Sequence, residues 1–101
     1  MNIVAIDVGI IHLGVVSAHV TWDVINVENV YLIDLTKSCR CTNCPLNHTN
    51  HMVDRVDHFI QEHRTILDKA DVVLVEKQPI TGLISVEQLI FDRLRGKVEF
   101  I

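Results

Sequence analysis

One carboxylate interrupts the apolar stretch AIDVGIIHLGVV, residues 5–16. Residues 3–8 are mostly apolar and rich in β-branched side chains, a pattern typical of a strand buried on both faces. We therefore expect Asp7 to lie at the end of a buried strand. A buried charge is costly unless it is paired or binds a metal ion. The fold must accordingly bring a cation or hydrogen-bond donors to this position.

Two glycines indicate that the chain reverses direction just after this acid. Gly9 ends the first strand, and Gly14 lies at the start of a second strand over residues 13–20. Because so short a connection leaves room only for a tight turn, the two strands are expected to pair as an antiparallel hairpin. A third strand, residues 27–35, is expected to continue the meander.

The second half of the sequence alternates between helical and strand patterns. Apolar side chains at helical spacing predict a helix over about residues 51–69. The stretch DVVLVE, residues 71–76, then predicts a buried strand that ends in Glu76. A strand that follows a crossover helix should lie parallel to an earlier strand.

A second helix and a last strand complete the predicted order. Ser85 and Gln88 have the spacing of a capping box, which predicts a helix over about residues 84–95, and Val98 begins another strand. The order β-β-β-α-β-α-β is typical of an α/β fold with a mixed sheet and a central first strand. We expect residues 1–101 to form a single domain with a Cys/His-rich insertion at about 36–51.

Composition excludes some classes of protein. No apolar run reaches the roughly 18 to 20 residues that span a bilayer, and residues 1–8 lack the basic start of a signal peptide. We therefore expect a soluble protein inside the cell, cytoplasmic or nuclear. The formal net charge of −4 argues mildly against a nucleic-acid binder that relies on the charge of the whole domain.

The two strand-ending acids predict a metal site. If the first and fourth strands are parallel neighbours, Asp7 and Glu76 lie at the same sheet edge, on strands about 4.8 Å apart. Like charges so close repel each other, and a divalent cation between them removes the conflict. Oxygen ligands suit Mg²⁺ or Mn²⁺. The alternatives are hydrogen bonds from loop amides to Asp7 and an ion pair of Glu76 with Lys77 or an arginine.

Both acidic motifs resemble those of the RuvC-like resolvases of the ribonuclease H superfamily. AIDVGIIHLGVV is similar to their first-strand motif, and VLVEKQP, residues 73–79, is similar to their second. The Glu-x-Gln form is closest to the Holliday junction resolvases of poxviruses, iridoviruses and fungal mitochondria. The resemblance implies a ribonuclease H-like mixed sheet and a metal-dependent endonuclease that resolves four-way DNA junctions as a homodimer. It also implies that Asp7 and Glu76 are the catalytic metal ligands, with Asp7 bridging two Mg²⁺ ions.

The sequence departs from this family at its C-terminal end. Family members carry a further acid pair on a helix after the fifth strand, and no position here matches it, since Asp92 and Glu99 lack that context. We therefore expect a truncated piece, a fragment or a natural short version of such a resolvase, and in each case weak cleavage or none by this chain alone. The alternatives are a non-catalytic, zinc-stabilised binding module of the same fold and an ATPase-type member of the superfamily.

Four side chains are candidates for contacts with the DNA backbone. Lys77 and Gln78 follow the second motif, and Arg93 and Arg95 end the second helix. Basic and amide side chains commonly contact phosphates. The alternative for the basic residues is an ordinary solvated surface.

A cysteine-rich loop predicts a second, structural metal site. Cys39, Cys41 and Cys44 with His48 could supply the four ligands of a zinc ion, and His51 is the alternative to His48. A zinc ion would fold an otherwise unsupported loop. The alternative is three reduced thiols on a mobile loop, which suits a reducing compartment.

Overall fold

A computed structural model describes residues 1–37, 51–79 and 82–101 of the chain. Within those ranges the strands form one five-stranded sheet in the order β3-β2-β1-β4-β5. The strands are β1 (Asn2–Asp7), β2 (Leu13–Val20), β3 (Ile25–Ile33), β4 (Val72–Val75) and β5 (Val98–Phe100). The helices are α1 (Met52–Glu62), α2 (Arg64–Lys69) and α3 (Ile84–Arg93), with a short 3-10 helix at Leu35–Lys37.

The sheet has the mixed topology that the sequence predicts. β1, β2 and β3 form an antiparallel meander. β4 pairs with β1 in parallel, and β5 pairs with β4 in parallel. The first strand is therefore the central one, and the predicted α/β mixed sheet is confirmed.

The hydrophobic core lies between one face of this sheet and the helices. Val4 and Ile6 of β1 and Val73 and Val75 of β4 point into it, and each is at most 3% exposed. The helices contribute buried side chains from α1, α2 and α3, among them Val56, Phe59, Ile60, Leu67, Val86 and Ile90. Burial of these apolar side chains is the main favourable term that holds the sheet and helices together.

The opposite face of the sheet, called the open face below, is not covered by any described helix. The expectation that β1 is buried on both faces is therefore wrong, since its Ile3 and Ala5 are only half-buried. Exposure is greatest on β3, where Val30 and Leu32 are 71% and 72% exposed. These two side chains pair with Val16 and Gly14 of β2, which places them on the open face.

Two helix predictions need correction. The expected single helix over 51–69 is two helices, which meet at His63, where the backbone leaves the helical region with φ −108° and ψ 21°. α3 begins at Ile84 with Leu83 as its N-cap and without a side-chain cap, so the capping box of Ser85 and Gln88 is wrong. In the ranges described, no helix is both long enough and apolar enough to cross a membrane.

Candidate metal site at the carboxyl ends of β1 and β4

Asp7 and Glu76 follow a pair of aligned residues on adjacent parallel strands. Ile6 pairs with Val75, and the Glu76 amide donates a hydrogen bond of 3.3 Å to the Ile6 carbonyl oxygen. Because successive side chains alternate between faces, both acids point to the open face while Ile6 and Val75 point into the core. The predicted parallel pairing is confirmed, and each acid directly follows the last paired residue of its strand. We call them the acid pair; their role as metal ligands stays a prediction.

Both side chains of the acid pair are exposed. The expectation that Asp7 is a buried charge is therefore wrong. Asp7 is exposed because the open face leaves the end of β1 in contact with solvent. Neither carboxylate forms an ion pair with a basic side chain of residues 1–36, 51–79 or 82–101. The alternative in which Lys77 or an arginine neutralises Glu76 is accordingly not seen in that part of the chain.

The turn after Asp7 depends on the glycine that follows it. A Cβ atom on Gly9 would lie 2.5 Å from the carbonyl oxygen of His12, closer than real Cβ contacts allow. Gly14 pairs with Asp7 across the hairpin, and a Cβ there would lie 3.6 Å from the Asp7 Cβ, an ordinary contact. Gly9 thus permits the tight turn, and Gly14 leaves space beside the Asp7 carboxylate.

Lys77 and Gln78 continue from the end of β4. Lys77 is exposed, and its amide donates to the Ile101 carbonyl oxygen at 3.0 Å. Gln78 is half-buried, and its side-chain Nε2 donates to the carbonyl oxygen of Glu76 at 3.2 Å. Of the two predicted DNA contacts beside the acid pair, Lys77 is thus the more accessible.

One buried acid that the sequence motifs do not include contacts the chain at Gln78. The carboxylate of Glu87, on α3, is the buried acid of the described chain, with the residue 3% exposed. Its Oε2 accepts a hydrogen bond of 3.3 Å from the Gln78 amide. A sequence pattern could have found it, because Leu83, Glu87, Ile90 and Leu94 share one stripe of the helix. An acid within an apolar stripe needs a hydrogen-bond donor.

Arg93 and Arg95 lie far from the acid pair. Arg93 ends α3 and Arg95 follows it, close to Lys97, whose carbonyl oxygen accepts a hydrogen bond from Val73 at the amino end of β4. Glu76 follows the carboxyl end of the same strand, so the arginines and the acid pair lie toward opposite ends of β4. The structure does not bring these arginines to the candidate metal site, and their contact with DNA stays a prediction.

The two arginines are also engaged by acids. Arg93 donates to Asp57 and to Asp92, each at 2.6 Å, and Arg95 donates to Asp92 at 3.1 Å. The hydrogen bonds from Arg95 and Arg93 lower the pKa of Asp92. The Arg95 guanidinium also lies over the ring of Phe91, 5.4 Å from its centroid. This surface is therefore a mixed ion-pair network rather than a purely basic patch.

A third acid shares the open face without joining the acid pair. Glu99 on β5 pairs with Leu74, which is two residues before Glu76 and on the same face. It is thus a diagonal neighbour of Glu76, displaced by one strand and two residues. No group of three or more His, Cys, Asp or Glu side chains converges among the described residues.

The predicted zinc ligands Cys39, Cys41, Cys44 and His48 lie outside the described residues. The alternative ligand, His51, is the N-cap of α1, and its carbonyl oxygen accepts hydrogen bonds from the amides of Asp54 and Arg55. The structural zinc site stays a prediction.

The fold is similar to two solved structures. It superposes over 100% of its length on Fowlpox virus resolvase, solved in complex with substrate Holliday junction DNA, with a TM-score of 0.65 and 18% identity. The match to Thermus thermophilus RuvC also covers 100% of this chain, with a TM-score of 0.62 and 16% identity. The chain has a RuvC-like resolvase fold. It spans 58% and 63% of those two chains, and its sequence matches no protein-family model and no curated protein.

In this RuvC-like fold, the donor set of the acid pair suits Mg²⁺. The described part of the site offers two exposed carboxylates from adjacent strand ends and no nitrogen or sulfur ligand beside them. Mg²⁺ is commonly held by one or two carboxylates and keeps several waters or substrate phosphate oxygens. Asp7 and Glu76 would thus hold the ion from the protein side, with its remaining positions open.

Proposed function

We propose that this protein is a Mg²⁺-dependent endonuclease that cleaves branched DNA, with Holliday junctions as its substrate. The observation that carries the proposal is the register of β1 and β4, in which Ile6 pairs with Val75 and an acid follows on each strand. The similarity to Fowlpox virus resolvase, which was solved with junction DNA, supports the choice of substrate.

The acid pair would act by holding metal ions against the scissile phosphate. Asp7, on the central strand, would contact two ions, and Glu76 would contact one. When bound, Mg²⁺ supplies an activated water and stabilises the oxygen that leaves the phosphodiester. Because both carboxylates are exposed on the open face, a DNA backbone can approach them without rearrangement of the sheet.

Contacts with DNA would come from local positive charge rather than from the whole domain, whose formal net charge is −4. Lys77 follows Glu76 in the chain and is exposed, and it is our first candidate for a phosphate contact. Arg95 would contact a more distant part of the junction, because it lies toward the amino end of β4. Gln78 would contribute mainly through its hydrogen bond to the Glu76 carbonyl.

A four-way junction has two-fold symmetry, so paired cuts require two copies of the site. We propose a homodimer that works inside the cell, with the helices over 52–69 and 84–95 as its interface. In a C₂ dimer the same surface of each subunit would form the contact.

A second candidate function is a non-catalytic module that binds branched DNA or a protein. This alternative is favoured because the described residues place only two carboxylates at these strand ends, with no third acid beside them. Two carboxylates leave a Mg²⁺ ion weakly held unless substrate phosphates complete its coordination.

Cleavage of a four-way junction distinguishes the two functions. The protein is incubated with a labelled junction and Mg²⁺ or Mn²⁺, beside the variants Asp7→Asn and Glu76→Gln. A matched control is Asp23→Asn, which removes the same charge in the turn between β2 and β3 and retains an oxygen for the Thr21 hydroxyl. We expect weak but measurable cleavage by the wild type and the control and none by the two site variants. Junction binding without cleavage by any of them would support the module instead.

A further inference from the structure

Glu87 presents a buried carboxylate that the proposed reaction does not use. The residue is 3% exposed and lies on the face of α3 that packs into the core with Val86 and Ile90. A buried carboxylate is retained at low cost only where it accepts hydrogen bonds. The Gln78 amide, 3.3 Å from Oε2, supplies one.

The chain leaves β4 through residues 76–78, which we call the exit segment. Its three successive amides donate to three different elements: Glu76 to Ile6 of β1, Lys77 to Ile101 beyond β5, and Gln78 to Glu87 of α3. Only the last acceptor is a side chain. The regular pairing of β4 with β1 ends at Val75, so Glu87 fixes the path of the chain after the sheet.

A second hydrogen bond connects Gln78 to the backbone of the acid pair. Gln78 Nε2 donates to the Glu76 carbonyl oxygen at 3.2 Å. Gln78 is thus held through its amide by Glu87 and in turn holds the backbone of Glu76 through its side chain. Displacement of Gln78 would release the Glu76 carbonyl and change the direction of the Glu76 side chain relative to Asp7.

We propose that Glu87 is a positioning residue that holds the exit segment so that the Glu76 carboxylate stays beside Asp7. The proposal rests on the metal-binding role of the acid pair given above. Partners that orient metal ligands from behind typically change metal affinity by roughly 10–100-fold when they are removed. Glu87 would orient Glu76 indirectly, because it binds Gln78 and Gln78 binds the Glu76 backbone.

Two substitutions of Glu87 separate its hydrogen bond from its packing. Glu87→Gln keeps an acceptor oxygen and the shape of the side chain, whereas Glu87→Met keeps the length and removes the acceptor. The first readout is hydrogen exchange of the Gln78 amide in the metal-free protein. We expect exchange to rise about tenfold or more in Glu87→Met and to stay near the wild-type rate in Glu87→Gln.

The second readout is the affinity for Mn²⁺ alone, measured by titration calorimetry without DNA. We expect Glu87→Met to weaken it by roughly 10–100-fold and Glu87→Gln to leave it within a few-fold. The control is Val56→Ala, which opens a cavity in α1 away from the exit segment and should lower stability without changing Mn²⁺ affinity. If Glu87→Met does not fold, Gln78→Ala tests the same chain of contacts by removing the bond to the Glu76 carbonyl.

The outcomes distinguish this inference from the proposed function. An unchanged Gln78 exchange rate in Glu87→Met, or faster exchange with wild-type Mn²⁺ affinity, overturns the positioning role. Failure of the wild type to bind Mn²⁺, or equal binding by Asp7→Asn, overturns the metal site itself. In that case the exchange rate of the Gln78 amide still decides whether Glu87 holds the exit segment.

Discussion

Ile6 of β1 and Val75 of β4 are paired in parallel, and the amide that follows Val75 donates back to the Ile6 carbonyl oxygen. This relationship aligns the next residue of each strand, and in both strands that residue is an acid. The positions of the two negative charges are therefore set by backbone hydrogen bonds between β1 and β4. Its consequences can be measured without DNA.

Removal of one charge from the acid pair should stabilise the metal-free protein. Like charges on adjacent strands destabilise a sheet, so we expect Asp7→Asn to raise the free energy of unfolding by roughly 0.2–1 kcal/mol in EDTA. Mg²⁺ should raise the melting temperature of the wild type, because a ligand that binds only the folded state stabilises it, and this rise should disappear in Asp7→Asn. Thermal unfolding with and without Mg²⁺ measures both effects, and Asp23→Asn is the control. A Mg²⁺ response that survives Asp7→Asn would show that the ion binds elsewhere.

The turn beside Asp7 should be sensitive to a single methyl group. Gly9→Ala would place its Cβ 2.5 Å from the His12 carbonyl oxygen, so the backbone must shift. Such overpacking typically costs about 1–3 kcal/mol. Gly14→Ala is the matched substitution, since its Cβ would make an ordinary contact of 3.6 Å with the Asp7 Cβ. Chemical denaturation should show a loss of stability for Gly9→Ala and little loss, or a gain, for Gly14→Ala. Equal effects would contradict the close approach at Gly9.

The order of the strands and the meeting of the acid pair could be predicted because they follow from local patterns and from chain connectivity. A crossover helix between two strands makes them parallel, and parallel strands bring their carboxyl ends to one edge. The burial of the acids could not be predicted in the same way. The same apolar sequence pattern fits a strand covered on one face and a strand covered on both. The pattern therefore predicts a buried Asp7, whereas the structure shows it exposed.

The buried acid is instead Glu87, whose place in the apolar stripe of α3 indicates burial but does not identify its partner. It stands among residues of the α3 stripe, and its partner is an amide in the loop before the helix. Long-range pairs escape prediction for a similar reason. Arg93 and Asp57 are 36 residues apart, and only the packing of α1 against α3 brings them to 2.6 Å. Spacing along the sequence indicates a helix face, but it does not identify the element that packs against it.

His63 should make stability depend on pH in the weakly acidic range. The imidazole lies between Tyr31 and Phe59, with ring centroids 4.9 Å and 5.4 Å away, where α1 ends. Burial lowers the pKa of His63, and the charge of Glu62 opposes this shift in part. The unfolded chain therefore takes up this proton at a higher pH than the folded protein does. Stability should fall as the pH drops below the unfolded pKa of about 6.5, until the folded pKa is passed.

The contribution of His63 can be isolated by comparing variants across that range. His63→Gln removes the titrating group, so its unfolding free energy should fall less between about pH 8 and about pH 5 than that of the wild type. Urea denaturation at several pH values measures the slopes. A His63→Gln slope equal to that of the wild type would show that the imidazole titrates alike in both states.

The open face should make the protein prone to self-association. Ile25, Val30 and Leu32 of β3 are 71–72% exposed, and Val27 is 54% exposed. Continuous apolar surface of this kind is uncommon on isolated soluble domains. We expect the double substitution Val30→Thr and Leu32→Thr to lower both the binding of a hydrophobic dye and the sedimentation coefficient at high concentration. Because threonine suits a strand and these side chains are exposed, stability should change by about 1 kcal/mol or less.

The matched control is Val15→Thr on the core face of β2. Val15 is fully buried, so this substitution should clearly destabilise the protein. A large loss of stability from the β3 double variant would contradict the exposure of this face.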